Sequence, residues 1–474
     1  MKILLVVYDQ DAYTHWFPHG LAYIAAVLRQ AGHEVCVYSQ DQFHWPESHL
    51  KKYLIDNEPD VVAISLIAGY YQYKKIQKIS KAINSVPKRP IYILGGHGPS
   101  PVPEFWLKKT GADFIIHGEG EITAVKLLDV LGKKKSGNGN VVSKVKGISY
   151  LENGKFVKTE ERKLIKQDEL VSIPFPAWDL FPMDYYAMLQ FPGMTASDRS
   201  MQVITARGCP FHCNFCYRMD KGTRLRPIED VIKEIRQLKE RYNITYINFA
   251  DELTMVGVKR TEELCHAIMD SGLDIKWALE GSGRLNYAKP KLLALMKKAG
   301  CVFIGYGVES LDDDTLKRMN KNLTRKQIIE GVEATRKAGI GVGMFMMFGN
   351  IDENEETLQK AVDFLLKYDD QSQLRTIRAI TPYPGSPLYY YALEKGLLKD
   401  AADFYDNKHV NSDLLSVNFT QLSDEEFHSS LCEANKILLR NYYNRILEKT
   451  IEQTEELYLE RDITFRGYRH SKHN

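Results

Sequence analysis

The stretch Arg207-Gly208-Cys209-Pro210-Phe211-His212-Cys213-Asn214-Phe215-Cys216-Tyr217 sets three thiols in a C-x3-C-x2-C run. Thiolates are soft ligands that select iron–sulfur clusters and zinc. A cubane cluster ordinarily takes four protein thiolates, and only three are local here. Three thiolates leave one iron open, which is what a reacting ligand requires. The chain has seven cysteines, an odd number that makes a poor disulfide framework. The other four, Cys36, Cys265, Cys301 and Cys432, are isolated and are expected as buried apolar residues rather than ligands. The competing reading is a closed zinc site with His212 or a distant residue as fourth ligand. Such sites usually pair two C-x2-C or C-x2-H elements, and the sequence has no second pair.

The run follows a strand and opens a region of regular alternation. Val203–Ala206, Tyr246–Phe249, Trp277–Leu279, Phe303–Tyr306, Gly343–Phe348 and Thr376–Ile380 are expected as strands, with helix-period segments such as Ile228–Tyr242 and Arg325–Ala338 between them. Six βα units over residues 201–388 suit a partial (β/α)6 barrel, which places chemistry at the C-terminal ends of its strands. Upstream, Ile3–Tyr8, Glu34–Tyr38, Asp60–Leu66, Ile91–Leu94 and Asp113–Ile116 are expected as strands, and Gly20–Ala31 and Tyr70–Ile83 as helices. This predicts a doubly wound, Rossmann-like parallel sheet over residues 1–135, with a ligand at the carboxyl ends of its strands. The polar segment Gly132–Lys146 is expected as a loop. Ile148–Leu151 and Phe156–Lys158 flank Asn153-Gly154, a type I′ hairpin signal. With the Pro-containing stretch Ile173–Pro182, the hairpin is expected to form a connector over residues 136–200. Residues 389–474 are expected to be mainly helical and carry no evident chemistry; Tyr442, Tyr443, Tyr458 and Tyr468 are expected to pack helices.

The 474 residues suggest two or three domains, and 44% apolar with 26% charged residues is a globular composition. A formal net charge of +2 gives no electrostatic reason to invoke nucleic acid, and the basic stretch Arg461–His473 is expected as a solvated tail. No apolar run is long enough to span a bilayer, and Met1–Tyr8 lacks a cleavage site, so a cytoplasmic protein is expected.

The cysteine run resembles the signature of the radical S-adenosylmethionine (SAM) superfamily, and the likeness covers roughly Met201–Leu388. It implies that Cys209, Cys213 and Cys216 hold a [4Fe–4S] cluster. SAM then binds the open iron and is reductively cleaved to a 5′-deoxyadenosyl radical, with a donor such as flavodoxin or ferredoxin supplying the electron. Tyr217 matches the family's aromatic residue near the adenine. Phe249-Ala250-Asp251-Glu252 ends a strand with acids at the barrel mouth. Glu280-Gly281-Ser282-Gly283-Arg284 and Gly305-Tyr306-Gly307-Val308-Glu309-Ser310 end the next two strands. The likeness implies cofactor contacts by Ser282, Arg284 and Glu309; the alternative is an ion pair such as Glu309–Arg284 with no ligand role. Phe348-Gly349 and Thr381–Ser386 resemble the family's last strand ends, or are turns. No catalytic acid or base stands out.

Three upstream stretches, Pro18–Leu28, Gly95-Gly96-His97-Gly98-Pro99-Ser100 and Gly118-Glu119-Gly120-Glu121, resemble the cobalamin-binding domain fused ahead of many radical SAM enzymes. Gly95 and Gly96 are the expected cofactor contacts, and the helix after Gly118 is expected to offer its N-terminal N–H groups to a phosphate or amide. A D-x-H-x-x-G motif is absent, and His15, His19, His97 and His117 are wrongly framed to ligate cobalt. The subgroup resembled includes the anaerobic magnesium-protoporphyrin ester cyclase and the hopanoid and natural-product methylases. It implies a cobalamin-dependent methyltransferase acting on an unactivated carbon of a small molecule. A radical cyclase, dehydratase or rearrangement enzyme, its first domain with or without corrin, is the alternative.

Overall fold

The computed structural model describes residues 1–135, 142–219, 221–368, 373–461 and 463–464. Five parallel strands, β1 (Lys2–Val7), β2 (Glu34–Ser39), β3 (Val61–Ser65), β4 (Ile91–Gly95) and β5 (Phe114–Ile116), form the first sheet in the order β2-β1-β3-β4-β5. The run Ile3-Leu4-Leu5-Val6-Val7 is buried throughout, as a strand covered on both faces must be. The order reverses beside β1, so the notch between the ends of β1 and β3 is the place for a ligand.

Strands β6 (Ile148–Glu152) and β7 (Lys155–Lys158) form the expected hairpin, with Asn153 and Gly154 at φ 50° and 77°. The hairpin is not a free connector. β6 pairs antiparallel with β5 and extends the first sheet to seven strands. The short edge strand β5 would otherwise leave unpaired backbone. The helix Glu121–Lys135 also runs into the segment expected as a loop, whose residues 136–141 lie outside the described set.

The second sheet contains β8 (Ser200–Val203), and the ribbon β9 (Ala206–Arg207) with β10 (Arg224–Leu225) follows it and brackets the cysteine run. The sheet continues through β11 (Tyr246–Phe249), β12 (Lys276–Gly283), β13 (Cys301–Glu309), β14 (Gly341–Phe348) and β15 (Ile377–Ala379), all parallel and in chain order. This is an open six-stranded barrel. β8 stops at Val203, short of the expected Ala206, because the Asp251 carboxylate takes the N–H groups of Thr205 and Ala206 at 2.6 and 3.0 Å and turns the chain. Val203, Phe249, Trp277, Leu279 and Ile304 face the outer helices and join one core with them. Each such burial contributes about 1.5–3 kcal/mol. Inside the barrel, Tyr246, Ala278 and Phe303 pack with Phe191 from the connector; the Phe191 and Tyr246 rings stack at 6.0 Å and plug one end of the lumen.

Cys265 and Cys301 are buried as expected, whereas Cys432 is exposed on the last helix. The segment after β15 doubles back onto the first domain. Tyr405 is fully buried, its ring stacked on Phe105 at 5.2 Å, and Asp406 meets Lys109 at 2.8 Å. The helix Asp424–Tyr458 then lies along β15 and the helix Glu355–Tyr368. Its later turns do not pack as the tyrosine pattern suggested: Tyr443 and Tyr458 are 57% and 72% exposed, and Tyr468 lies outside the described residues. No helix among the described residues is long and apolar enough to cross a membrane.

The free edge of β15 is closed by one side chain. Asn435 accepts from Ile377 N–H at 2.8 Å and donates to Ile377 C=O at 2.9 Å. Asn435→Ala strands both backbone groups and should lower unfolding free energy by about 1–3 kcal/mol, read from the midpoint of a urea melt at unchanged slope.

Candidate radical SAM and corrin site

The cysteine run is held open by its neighbours. Asn214, between Cys213 and Cys216, accepts from Leu388 N–H through its backbone carbonyl at 2.8 Å. Its own N–H donates to Met319 C=O at 2.9 Å, and its amide pairs reciprocally with that of Asn350 at 3.0 Å. Asn320 holds His212 C=O at 2.9 Å. The Arg284 guanidinium lies flat on Phe211, 3.3 Å from the ring centre. Burial raises all three thiol pKa values. That of Cys216 reaches about 12, with negative charge from Cys213 and Glu309 adding to the burial effect and Lys321 opposing it. Thiolates so placed form only against a bound cation.

Ion pairs fasten the run to the first domain. Arg207 meets Glu119 and Glu121 at 2.7 and 2.6 Å, and Arg224, on the partner strand of the ribbon, meets Glu119 at 2.9 Å. Glu119 also accepts from Ile165 N–H at 2.7 Å. Glu119 and Glu121 thus occupy the start of the helix that was expected to offer N–H groups to a ligand. Nothing in the sequence linked Glu119 to Arg207, 88 positions away, or to Arg224, 105 positions away.

The structure separates the expected cofactor contacts. Glu309 sits at φ 68°, rarely adopted outside glycine, and pairs with Lys321 at 2.8 Å rather than with Arg284. Arg284 donates to Lys321 C=O and Asn322 C=O at 2.8 and 3.1 Å while stacking on Phe211, so it braces the cysteine run. The Ser282 hydroxyl is 1% exposed, accepts from Thr254 and donates to Phe249 C=O; these bonds give it a place in the wall. Asp251 is likewise spent on Thr205 and Ala206, and both it and Glu252 line the cavity described below. Tyr217 meets His97 edge-on at 6.1 Å, and a Cβ at Gly385 would strike its ring, so it is clasped between the Gly95–Ser100 turn and the Thr381–Ser386 turn.

Between the two domains lies a cavity of about 730 Å³. Gly95, Gly96, Gly118 and Gly120 border it from the first sheet, and Arg207, Gly208, Ala250 and Glu252 from the second. An apolar arm passes Ile3, Val61, Ala124 and Leu128, between the first sheet and its helices. Gly96 stands at φ 95°, and a Cβ there would meet Leu66 O at 2.7 Å, so only glycine forms this rim. His19 is committed to Gln202 C=O at 2.9 Å and His117 to Ser149 at 2.8 Å, so neither is free to ligate cobalt.

The donor set of three thiols fits a cluster that spreads its ligands over several irons. The glycine rim and apolar arm fit a corrin with a long tail.

Glu119→Ala leaves Arg207 and Arg224 under-paired in the seam. It should cost on the order of 3–5 kcal/mol in urea unfolding and speed amide exchange through Ala206–Cys209, with Glu119→Gln intermediate.

Comparison with known proteins agrees with this geometry. The radical SAM superfamily family model matches residues 203–365 and the B12 binding domain model residues 5–128. An uncharacterized methyltransferase of Pyrococcus horikoshii is 32% identical over 410 residues, 84% of each chain. The cytidylyl-2-hydroxyethylphosphonate methyltransferase of Streptomyces wedmorensis is 27% identical over 85% of this chain and 84% of its own. Among solved structures, the radical SAM methyltransferase TsrM from Kitasatospora setae, with cobalamin and a [4Fe–4S] cluster bound, superposes with a TM-score of 0.70 at 16% identity, covering 92% of this chain and 88% of that one. The chain belongs to the cobalamin-binding subgroup of the radical SAM enzymes.

Proposed function

We propose that this enzyme methylates an unactivated carbon of a small molecule. The observation that carries the reading is the shared cavity, in which the glycine rim of the first domain faces Gly208 and Glu252 beside the cysteine run. When bound, the cluster supplies the electron that cleaves SAM to a substrate-activating radical, and cobalamin supplies the methyl group. An sp³ carbon has no lone pair to attack a sulfonium, so both cofactors must address one atom from one chamber.

The protein's own part is placement. Cys209, Cys213 and Cys216 are the thiols that would hold the cluster, which would bind SAM and deliver the electron that cleaves it. Glu252 is the acid placed to take the amino group of SAM, and Tyr217 flanks the adenine. Glu309, tied to Lys321, is the third proposed SAM contact; Ser282 and Arg284 act through the wall and the loop. Gly95 and Gly96 admit the corrin edge. The Glu119–Arg207–Arg224 seam keeps water from the reacting faces, and productive geometry requires the reacting atoms about 3–3.5 Å apart. The proposed units are residues 1–135 for cobalamin, 136–200 as a linking region whose hairpin joins the first sheet, 201–388 for the cluster and SAM, and 389–474 as a brace. Reduced flavodoxin or ferredoxin is the proposed electron donor. The cytoplasm, where thiols stay reduced, is the proposed site of action.

Two outcomes test this. Cys213→Ala should lose the brown iron–sulfur absorbance and 5′-deoxyadenosine formation with SAM and dithionite; retained cleavage refutes the cluster assignment. Protein from cells grown with ample cobalamin should carry the corrin through gel filtration, and Gly96→Val should not, because its side chain strikes Leu66 O. Product mass separates methylation, which adds one carbon, from a cyclisation or rearrangement.

A further inference from the structure

The barrel lumen contains polar groups that the cofactors do not account for. On β8, β11 and β12 the residues facing inward alternate with those packed on the outer helices, Met201, Val203, Phe249, Trp277 and Leu279. Gln202, Asn248 and Ala278 therefore share one inward layer, fixed by the register Gln202↔Asn248↔Ala278, and Glu280 follows Ala278 on the same face one layer nearer the mouth. Asn248 is fully buried, and neither its Oδ1 nor its Nδ2 has a partner; the buried Gln202 Nε2 also lacks one. Glu280 has no hydrogen-bond or ion-pair partner among the described residues, and burial alone raises its carboxyl pKa. An unpaired buried amide and a half-desolvated carboxylate each cost free energy that a complementary ligand returns.

An aromatic ring closes over the same part of the barrel. Gly305 pairs with Gly343, and a Cβ at Gly305 would lie 2.8 Å from the Phe345 ring, so the glycine makes way for that ring. Gly281 is exposed at φ 92°, and Phe345, 40% exposed, reaches to within 3.9 Å of where its Cβ would be. A ring and a carboxylate thus flank the exposed Gly281, one layer above the buried Asn248 amide. The nearby cations are already engaged: Lys321 holds Glu309, and Arg284 holds carbonyls and Phe211.

We infer that Glu280 is the substrate anchor, taking a protonated amine through a charge-assisted hydrogen bond, with the Asn248 amide fixing a neighbouring polar group and Phe345 the apolar part of the same molecule. This deepens the methylase reading and rests on it, since it names the class of carbon compound that enters: an amine with an apolar or ring body. A cation is the chemistry this carboxylate lacks, and a neutral hydroxyl compound satisfies the hydrogen bond without the charge.

The test uses the full chain with its cluster reconstituted and two probes of equal shape, 2-phenylethylamine and 2-phenylethanol, titrated calorimetrically under anaerobic conditions. The amine should bind about tenfold or more tightly than the alcohol. Glu280→Gln should abolish that preference by weakening the amine alone, and Glu280→Asp, which keeps the charge, should retain part of it. Equal affinity for both probes, no binding of either, or a preference that survives Glu280→Gln overturns the proposal. If Glu280→Gln fails to fold, judged by lost cluster absorbance, the Glu280→Asp titration decides: loss of the charge preference there overturns the anchor. SAM cleavage by the wild-type protein is read separately. Its absence alongside a clear amine preference defeats the methylase reading and leaves the anchor; its presence without the preference defeats the anchor alone.

Discussion

The architecture turns on a knot of four charges at the domain seam. Arg207 opens the cysteine run, Arg224 closes the ribbon around it, and both reach Glu119 while Arg207 also reaches Glu121. All four side chains are at most 14% exposed, so their attraction is little screened by solvent or salt. Charges this deep are tolerated only in company, and removing one partner strands the others. The knot therefore enforces a spatial relation that neither domain could hold alone: the turn that precedes the first cluster thiol is fastened to the loop that rims the corrin cavity. Tyr23, whose ring lies 5.4 Å from the Arg207 guanidinium, adds a cation–π contact from the first domain.

Around that knot the barrel distributes labour between its faces. Outward residues build the hydrophobic core and inward ones line the lumen. Phe303 and Tyr246 plug it with Phe191, and Gly305 and Gly343 make way for the Phe345 and Phe303 rings. The strain at Glu309 fits this economy. Its left-handed backbone folds the carboxylate back to Lys321, keeping a charge at the strand end without filling the lumen.

Much of this was legible in the sequence, for local reasons. The thiol spacing is a chemical statement that survives any fold, and runs such as Ile3–Val7 leave no option but a covered strand. Asn153-Gly154 announced its hairpin because left-handed backbone at both positions restricts the residue types. What stayed hidden depends on contacts between distant positions. The pairing of β6, the hairpin's first strand, with β5 has no local signal. Nor does the choice of Lys321 over Arg284 as the partner of Glu309, since all three residues lie at strand or helix ends with reach to spare. The likeness implied a cofactor contact for Ser282; the hydrogen bond its hydroxyl accepts from Thr254, in the preceding strand's loop, had no local signal.

The return of the chain to its first domain carries a temporal meaning. Tyr405 completes an aromatic cluster with Tyr73, Phe105 and Trp106, yet more than 290 positions separate these partners, as the 297-residue span from Lys109 to Asp406 illustrates. During synthesis the early domain must wait, with that patch bare, until translation has passed the whole barrel. Sealing is thus one of the last events of maturation, and a ribosome stalled inside the barrel would present a sticky aromatic face for chaperones to shield.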